Sequence, residues 1–268
     1  MWPYLWSKTA MLVLISPAKT LDFDCDSHSQ LASVPVFLTE AEELVNKMRG
    51  FSAQRLEKLM GISGNLARLN VERFTSWQPI HTEQNCKPAI LAFQGDVYQG
   101  MEASQFTPED LDFAQGRLRI LSGLYGLLRP MDQIQPYRLE MGTRIKIGRK
   151  KDLYHFWSDK ITRLLNQHLE ESKSGTLINL ASQEYFGAVD VSKLAVPVVK
   201  PVFLDGKAGQ YKVVSYWAKR ARGMMAAFIL QNRIQDPEQI KGFDAGGYSF
   251  SGESSTSLEW VFRRHHQS

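Results

Sequence analysis

Four short apolar runs are spread along the chain: Met11–Ile15 (MLVLI), Ala89–Phe93 (AILAF), Leu118–Leu121 (LRIL) and Thr176–Leu180 (TLINL). Each is strand-sized and soon meets a proline, glycine or serine, and longer amphipathic segments stand between them. Strands separated by helices must be joined by crossovers if they are to share a sheet. Two other pairs of runs read differently. Val198–Leu204 and Tyr211–Tyr216 flank DGKAGQ as a hairpin, and Tyr248–Phe250 and Leu258–Phe262 form another across a polar loop. Helix-linked strands together with hairpins predict an α+β fold. They point to a compact body around one mixed sheet, not a purely parallel doubly wound one.

The helices are announced by their ends. Thr39, with Glu42 three residues later, reads as a capping box, and Gly50 stops that helix. Ser52 caps a second helix ending at Gly61, and a third runs from Gly64 toward Trp77. Thr107-Pro108-Glu109-Asp110 supplies a cap, a proline at the first helical position and acids facing the helix dipole. Leu153, Phe156, Trp157, Leu164 and Leu165 line one face of a long helix over 151–170. Ala218–Arg233 is helical, and Asp236-Pro237 starts a short last helix. No linker, repeat or low-complexity stretch interrupts the pattern. The chain reads as one domain over 11–268, with a helical subregion at 39–77 and a ragged extension at 1–10.

Several chemistries are disfavoured. No run of apolar residues is long enough for a membrane span. Cys25 and Cys86 form no disulfide framework and no secretory signal precedes the fold, so a cytoplasmic location is expected. Cys25 lies among Asp22, Asp24 and Asp26, which favour the protonated thiol. His28, His81, His155, His168, His265 and His266 have no metal-ligand spacing, so neither a metal nor a cofactor is expected. SGLYGLL matches neither a dinucleotide fingerprint nor a P-loop, and no nucleophile elbow is present.

The net charge of +4 permits a polyanionic partner without demanding one, and its distribution is more informative. Gly61-Ile62-Ser63-Gly64 joins two short helices, with Arg68 nearby. A glycine corner of this kind can aim backbone amides at a phosphate, or be a packing corner. Arg144, Lys146, Arg149, Lys150 and Lys151 form an acid-free run placed at a helix start, where cations oppose the dipole. An external anion would compensate, although a solvated basic turn is the other reading. Lys219 and Arg222 share a helix face near Lys212, with Tyr216 and Trp217 between them, as a cleft wall or a solvated face. Arg129 and Arg138 stand in a glycine- and proline-rich centre, either in a pocket or in an ion-pair network. Ser16, Lys19 and Asp205 fall at strand ends, where α/β sheets form pockets.

Longer signatures run from Met11 to about Arg264: SPAKTLD at 16–22, FQGDVY at 93–98, LSGLYGLLRP at 121–130, PYRLEMG at 136–142, Asn179-Leu180-Ala181-Ser182 and PVFLD at 201–205. With Ala218-Lys219-Arg220-Ala221-Arg222-Gly223 they resemble, in order, the bacterial peroxide stress resistance family YaaA. The resemblance implies a cytosolic protein of unusual α/β fold that limits oxidative DNA damage and is associated with lowering available iron. It also implies a basic cleft and a helix-hairpin-helix element at 61–67 that binds duplex DNA without sequence preference. Ser63 replaces the second glycine of the general hairpin motif, which would cost strain if that position needs positive φ. An alternative keeps the same basic residues as the pocket of an enzyme acting on a small anionic or phosphorylated substrate.

Overall fold

A computed structural model describes residues 10–23, 32–207 and 209–265. Of the expected extension only Ala10 is among them, and it opens the first strand. Cys25, and with it the acidic setting read around it, lies outside the described residues, as do His28 and His266.

An eight-stranded sheet is formed by β1 (Ala10–Ile15), β2 (Leu118–Ser122), β3 (Gly126–Leu128), β4 (Ser174–Asn179), β5 (Val198–Lys207), β6 (Gln210–Lys212), β7 (Ser249–Phe250) and β8 (Glu259–His265). Its order is β7-β8-β5-β4-β1-β2-β3, with β6 added on β5. The five neighbours from β8 to β2 run parallel, and β3, β6 and β7 are antiparallel to their partners. The sheet is therefore mixed, as the hairpins predict. Every residue of β1 and β4 is buried, which is why these strands read as unbroken runs rather than as alternating ones.

The main helices are α1 (Leu38–Arg49), α2 (Ala53–Met60), α3 (Gly64–Ser76), α4 (Asp96–Met101), α5 (Pro108–Arg117), α6 (Leu153–Trp157), α7 (Lys160–Glu171) and α8 (Ser215–Gln231). Helix α5 packs on β1 and β2, α7 on β4 and β3, and α8 on β5. None among the described residues is long and apolar enough to cross a membrane. Helices α4 and α8 cross backbone to backbone. A Cβ at Gly223 would stand 1.8 Å from the Val97 carbonyl oxygen, and one at Gly100 would stand 2.2 Å from that of Arg220.

Several expected elements differ. Helix α1 begins one residue before Thr39, so the threonine lies inside it and no side chain caps it. Ala89–Ala92 is a single helical turn after Pro88, and only Phe93–Gln94 is extended; a short apolar run does not distinguish a buried turn from a strand. The long helix over 151–170 is two, α6 and α7. Ser158, at φ 40° and ψ −123°, breaks it after one and a half turns. Strand β6 stops at Lys212, and Ser215 already opens α8.

Two features shape the surface. Strand β5 pairs with β4 only at Val198 and Val199, so its far end overhangs β4 and is flanked instead by β8 and β6. The segment 137–148 belongs to no strand, yet it alternates strictly. Tyr137, Leu139, Met141, Thr143, Ile145 and Ile147 are buried, while Arg138, Glu140, Gly142, Arg144, Lys146 and Gly148 face outward. It is a strap lying on the core, turned where the Thr143 amide donates to the Glu140 carbonyl and the Ile145 amide to the Thr143 carbonyl.

Candidate functional site

The strap brings part of the basic run at 144–151 against α1 and α2. Arg144, Ile145, Lys146 and Gly148 line a groove of about 530 Å³ with Lys47, Phe51, Arg55 and Leu59. Phe51, Arg55 and Leu59 are four residues apart and so share one face of the chain entering α2. The Arg55 guanidinium lies 3.8 Å from the centre of the Phe51 ring, and Lys47 Nζ lies 5.8 Å from it. Among the described residues no acidic side chain lines the groove. The cations of 144–151 do not open a helix, as the sequence suggested. The helix begins only at Leu153, where Asp152 caps it, and the dipole conflict does not arise. Arg149, Lys150 and Lys151 sit beyond the groove, near the Ile147–Lys150 turn in which Gly148 has φ 55°.

One turn further along α2 lies the glycine corner. Gly61 takes the left-handed conformation at φ 62°, which a side chain would strain. Ile62 is buried and Ala67 fully so, which lets α2 and α3 close on each other. The expected strain at Ser63 is absent. It sits at φ −67° and ψ 156°, and its hydroxyl caps α3 by accepting from the Leu66 amide at 3.4 Å. Arg68 is exposed and donates to Asn65 Oδ1. The Glu57 carboxylate lies close by, 3.6 Å from where a Cβ on Gly64 would stand.

A second polar cluster occupies the carboxyl ends of the central strands. Ile15 of β1 lies beside Ile120 of β2, and Leu14 beside Asn179 of β4. That register brings Ser16, Ser122 and Ser182 to one level. Ser16 Oγ donates to Ser182 Oγ at 3.2 Å and accepts from the Ser182 amide at 2.8 Å. Tyr98 OH donates to the Ser16 carbonyl, and Ser122 Oγ lies 2.6 Å from Tyr137 OH. Burial raises the pKa of Tyr98, Tyr137 and Tyr185, reinforced by Tyr137 for the other two and by Tyr125 for Tyr137, so all three hydroxyls stay protonated. At the rim, Lys19 Nζ is 2.5 Å from Glu140 Oε2, and Arg138 donates to Glu140 Oε1 from Nη2 at 3.0 Å and Nε at 3.3 Å. Arg73 of α3 stands near enough to Arg138 that the second guanidinium adds to burial in lowering its pKa.

The other pocket candidates are dispersed. Arg129 lies toward the opposite end of the strands, because β3 runs back antiparallel from Gly126. There its Nη2 faces His168 Nε2 at 3.3 Å and Glu171 at 3.7 Å. Burial, then Arg119 and Arg129, hold the His168 pKa down to about 3, and the neutral ring accepts from Arg119 Nε at 2.7 Å. Asp205 is buried in the β5 overhang, paired with Arg264 and bonded by Tyr248 OH at 3.1 Å. Lys219 pairs with Asp96 at 3.4 Å, beside Gly95, which closes on Ala18. Arg222 is partly buried, and desolvation lowers its pKa. Sequence reasoning missed Lys47, which lacks any motif, and gave Ser182 no role of its own although it stands in the signature at 179–182.

Residues 11–254 match the family described as peroxide stress protein YaaA. The chain belongs to the YaaA family. Among similar proteins, a UPF0246 protein of Burkholderia cenocepacia is 51% identical over 257 residues, covering 95% of this chain and 98% of that protein. The YaaA signatures map onto the features above. SPAKTLD carries Ser16 and Lys19, PYRLEMG carries the first half of the strap, and AKRARG carries Lys219 and the glycine of the α4–α8 crossing.

Proposed function

We propose that this YaaA protein acts in the cytoplasm during peroxide stress by binding duplex DNA through its sugar-phosphate backbone, without reading sequence. The observation that carries the reading is the groove in which Lys47, Arg55, Arg144 and Lys146 converge, with no acid among its described lining residues. Arg144 and Lys146, two residues apart, are both exposed on the outer side of the strap, where each can meet a phosphate. The α2–α3 corner beside the groove would serve as a helix-hairpin-helix, its amides holding one further phosphate. No base-reading element enters this reading, so affinity rests on counterion release.

Protection follows if the bound backbone is shielded from iron-driven damage. The lowering of available iron expected of the family is, on this reading, indirect. Among the described residues no three His, Cys, Asp or Glu side chains gather where they could hold a metal. The test is titration of duplexes of unrelated sequence at several salt concentrations. Affinity should be equal across sequences and should fall steeply with salt; indifference to salt would end the proposal.

A further inference from the structure

The polar cluster at the strand ends is not used by the DNA reading. It lies where ligands bind in open α/β sheets, outside the carboxyl ends of the strands and at the point where the order reverses. The chain leaves β1 for β2 on one side and later takes up β4 on the other. All three strands deliver a serine to the same level there. We propose that this cluster is a binding site for a phosphomonoester, clamped by Lys19 and Arg138 and hydrogen-bonded by the Ser16–Ser182 hydroxyl pair.

The clamp already holds an anion. Glu140 touches Lys19 with one oxygen and both the Nε and Nη2 of Arg138 with the other. Its side chain is only 17% exposed, and that of Lys19 is 59% exposed, so the clamp opens outward. A phosphoryl dianion brings two charges and three acceptor oxygens to a place now served by one carboxylate, and Arg73 adds a third cation beside Arg138. Glu184, the other carboxylate nearby, is engaged elsewhere, accepting from the Gly142 amide at 2.9 Å. The serine pair has a donor to spare. Ser182 Oγ accepts from Ser16 Oγ and from the Tyr185 amide, and among the described residues its own proton has no acceptor. An acceptor-only group completes that arrangement.

The phosphate could stand on a soluble metabolite or at a DNA end, and paired probes separate the two. Calorimetry compares adenosine 5′-monophosphate with adenosine, and a hairpin oligonucleotide bearing a 5′-phosphate with its 5′-hydroxyl form. In at least one pair the phosphorylated member should bind about tenfold tighter. A preference confined to the nucleotide marks a soluble ligand, and one confined to the oligonucleotide marks a DNA end. Lys19→Ala with Arg138→Gln should abolish the preference. Glu140→Gln, which removes the internal competitor, should strengthen it. Arg144→Ala with Lys146→Ala should leave it intact, since the site is independent of the DNA groove. No preference in either pair overturns the proposal. So does a preference that survives the clamp variant, or one that Glu140→Gln does not strengthen, in folded protein.

Discussion

The replacement of Arg144 and Lys146 together by alanine tests the groove most sharply. Their side chains leave the core side of the strap untouched, because Thr143, Ile145 and Ile147 carry its burial. The variant should therefore fold as the parent does. Four cations line the groove, and each phosphate contact contributes about 0.9 to the slope of log affinity against log salt. A slope of about −3.6 is then expected for the parent from this groove, and about −1.8 for the double variant. Between 50 and 200 mM salt the parent should lose about 150-fold in affinity and the variant about 12-fold. Fluorescence anisotropy of a labelled duplex across that range gives both slopes, and circular dichroism checks the fold. A folded variant that keeps the parental slope would refute the argument. So would one that weakens binding to some sequences only, since that would place base contacts on the strap.

Other outcomes follow from single features. Glu57→Gln removes a carboxylate beside Gly64 at the amino end of α3 and should tighten duplex binding a few-fold in the same assay; unchanged or weaker binding would take the corner out of the interface. Gly223→Ala forces a Cβ onto the Val97 carbonyl and should destabilise the protein by about 1–3 kcal/mol or more, read as a lower midpoint in urea, whereas a neutral result would contradict the backbone contact of α4 and α8. His168 is held neutral in the fold, with its pKa down at about 3 against an ordinary 6.5. Its contribution to stability is thus present above about pH 6.5 and is lost as the pH falls toward 3. His168→Gln should flatten that acid limb relative to the parent, and an identical limb in both would show that His168 does not govern it.

Much of the fold could be read locally because its signals are local. Ser52, Thr107 and Asp236 each cap the helix their neighbours announce, as hydroxyl and carboxylate caps do. The failures have particular causes. Ser158 breaks the helix over 151–170 through a backbone conformation that serine rarely adopts and no pattern encodes. The run at 89–92 is buried whether helical or extended. Arg129 and Arg138 are near in sequence but lie at opposite ends of the strands, because β3 has carried the chain back along β2 before Arg129, and residues 130–137 return it to the level of Ser122. The strap is the instructive case. Its period of two is plain in YRLEMGTRIKIG, but the density of positive charge drew attention to a helix start that is not there. The union of Arg144 and Lys146 with α2 depends on tertiary packing and had no sequence signal.

The strap carries two messages in one segment, since its odd positions answer to the core and its even positions to whatever lies outside. Charge on the outer side can be rewritten residue by residue without disturbing the packing. Length cannot. The removal of one residue near Gly142 would turn either the cations or the isoleucines to the wrong side all the way to Gly148. Sequences that diverge through this region are therefore expected to keep its residue count unchanged, whatever side chains their outer positions carry.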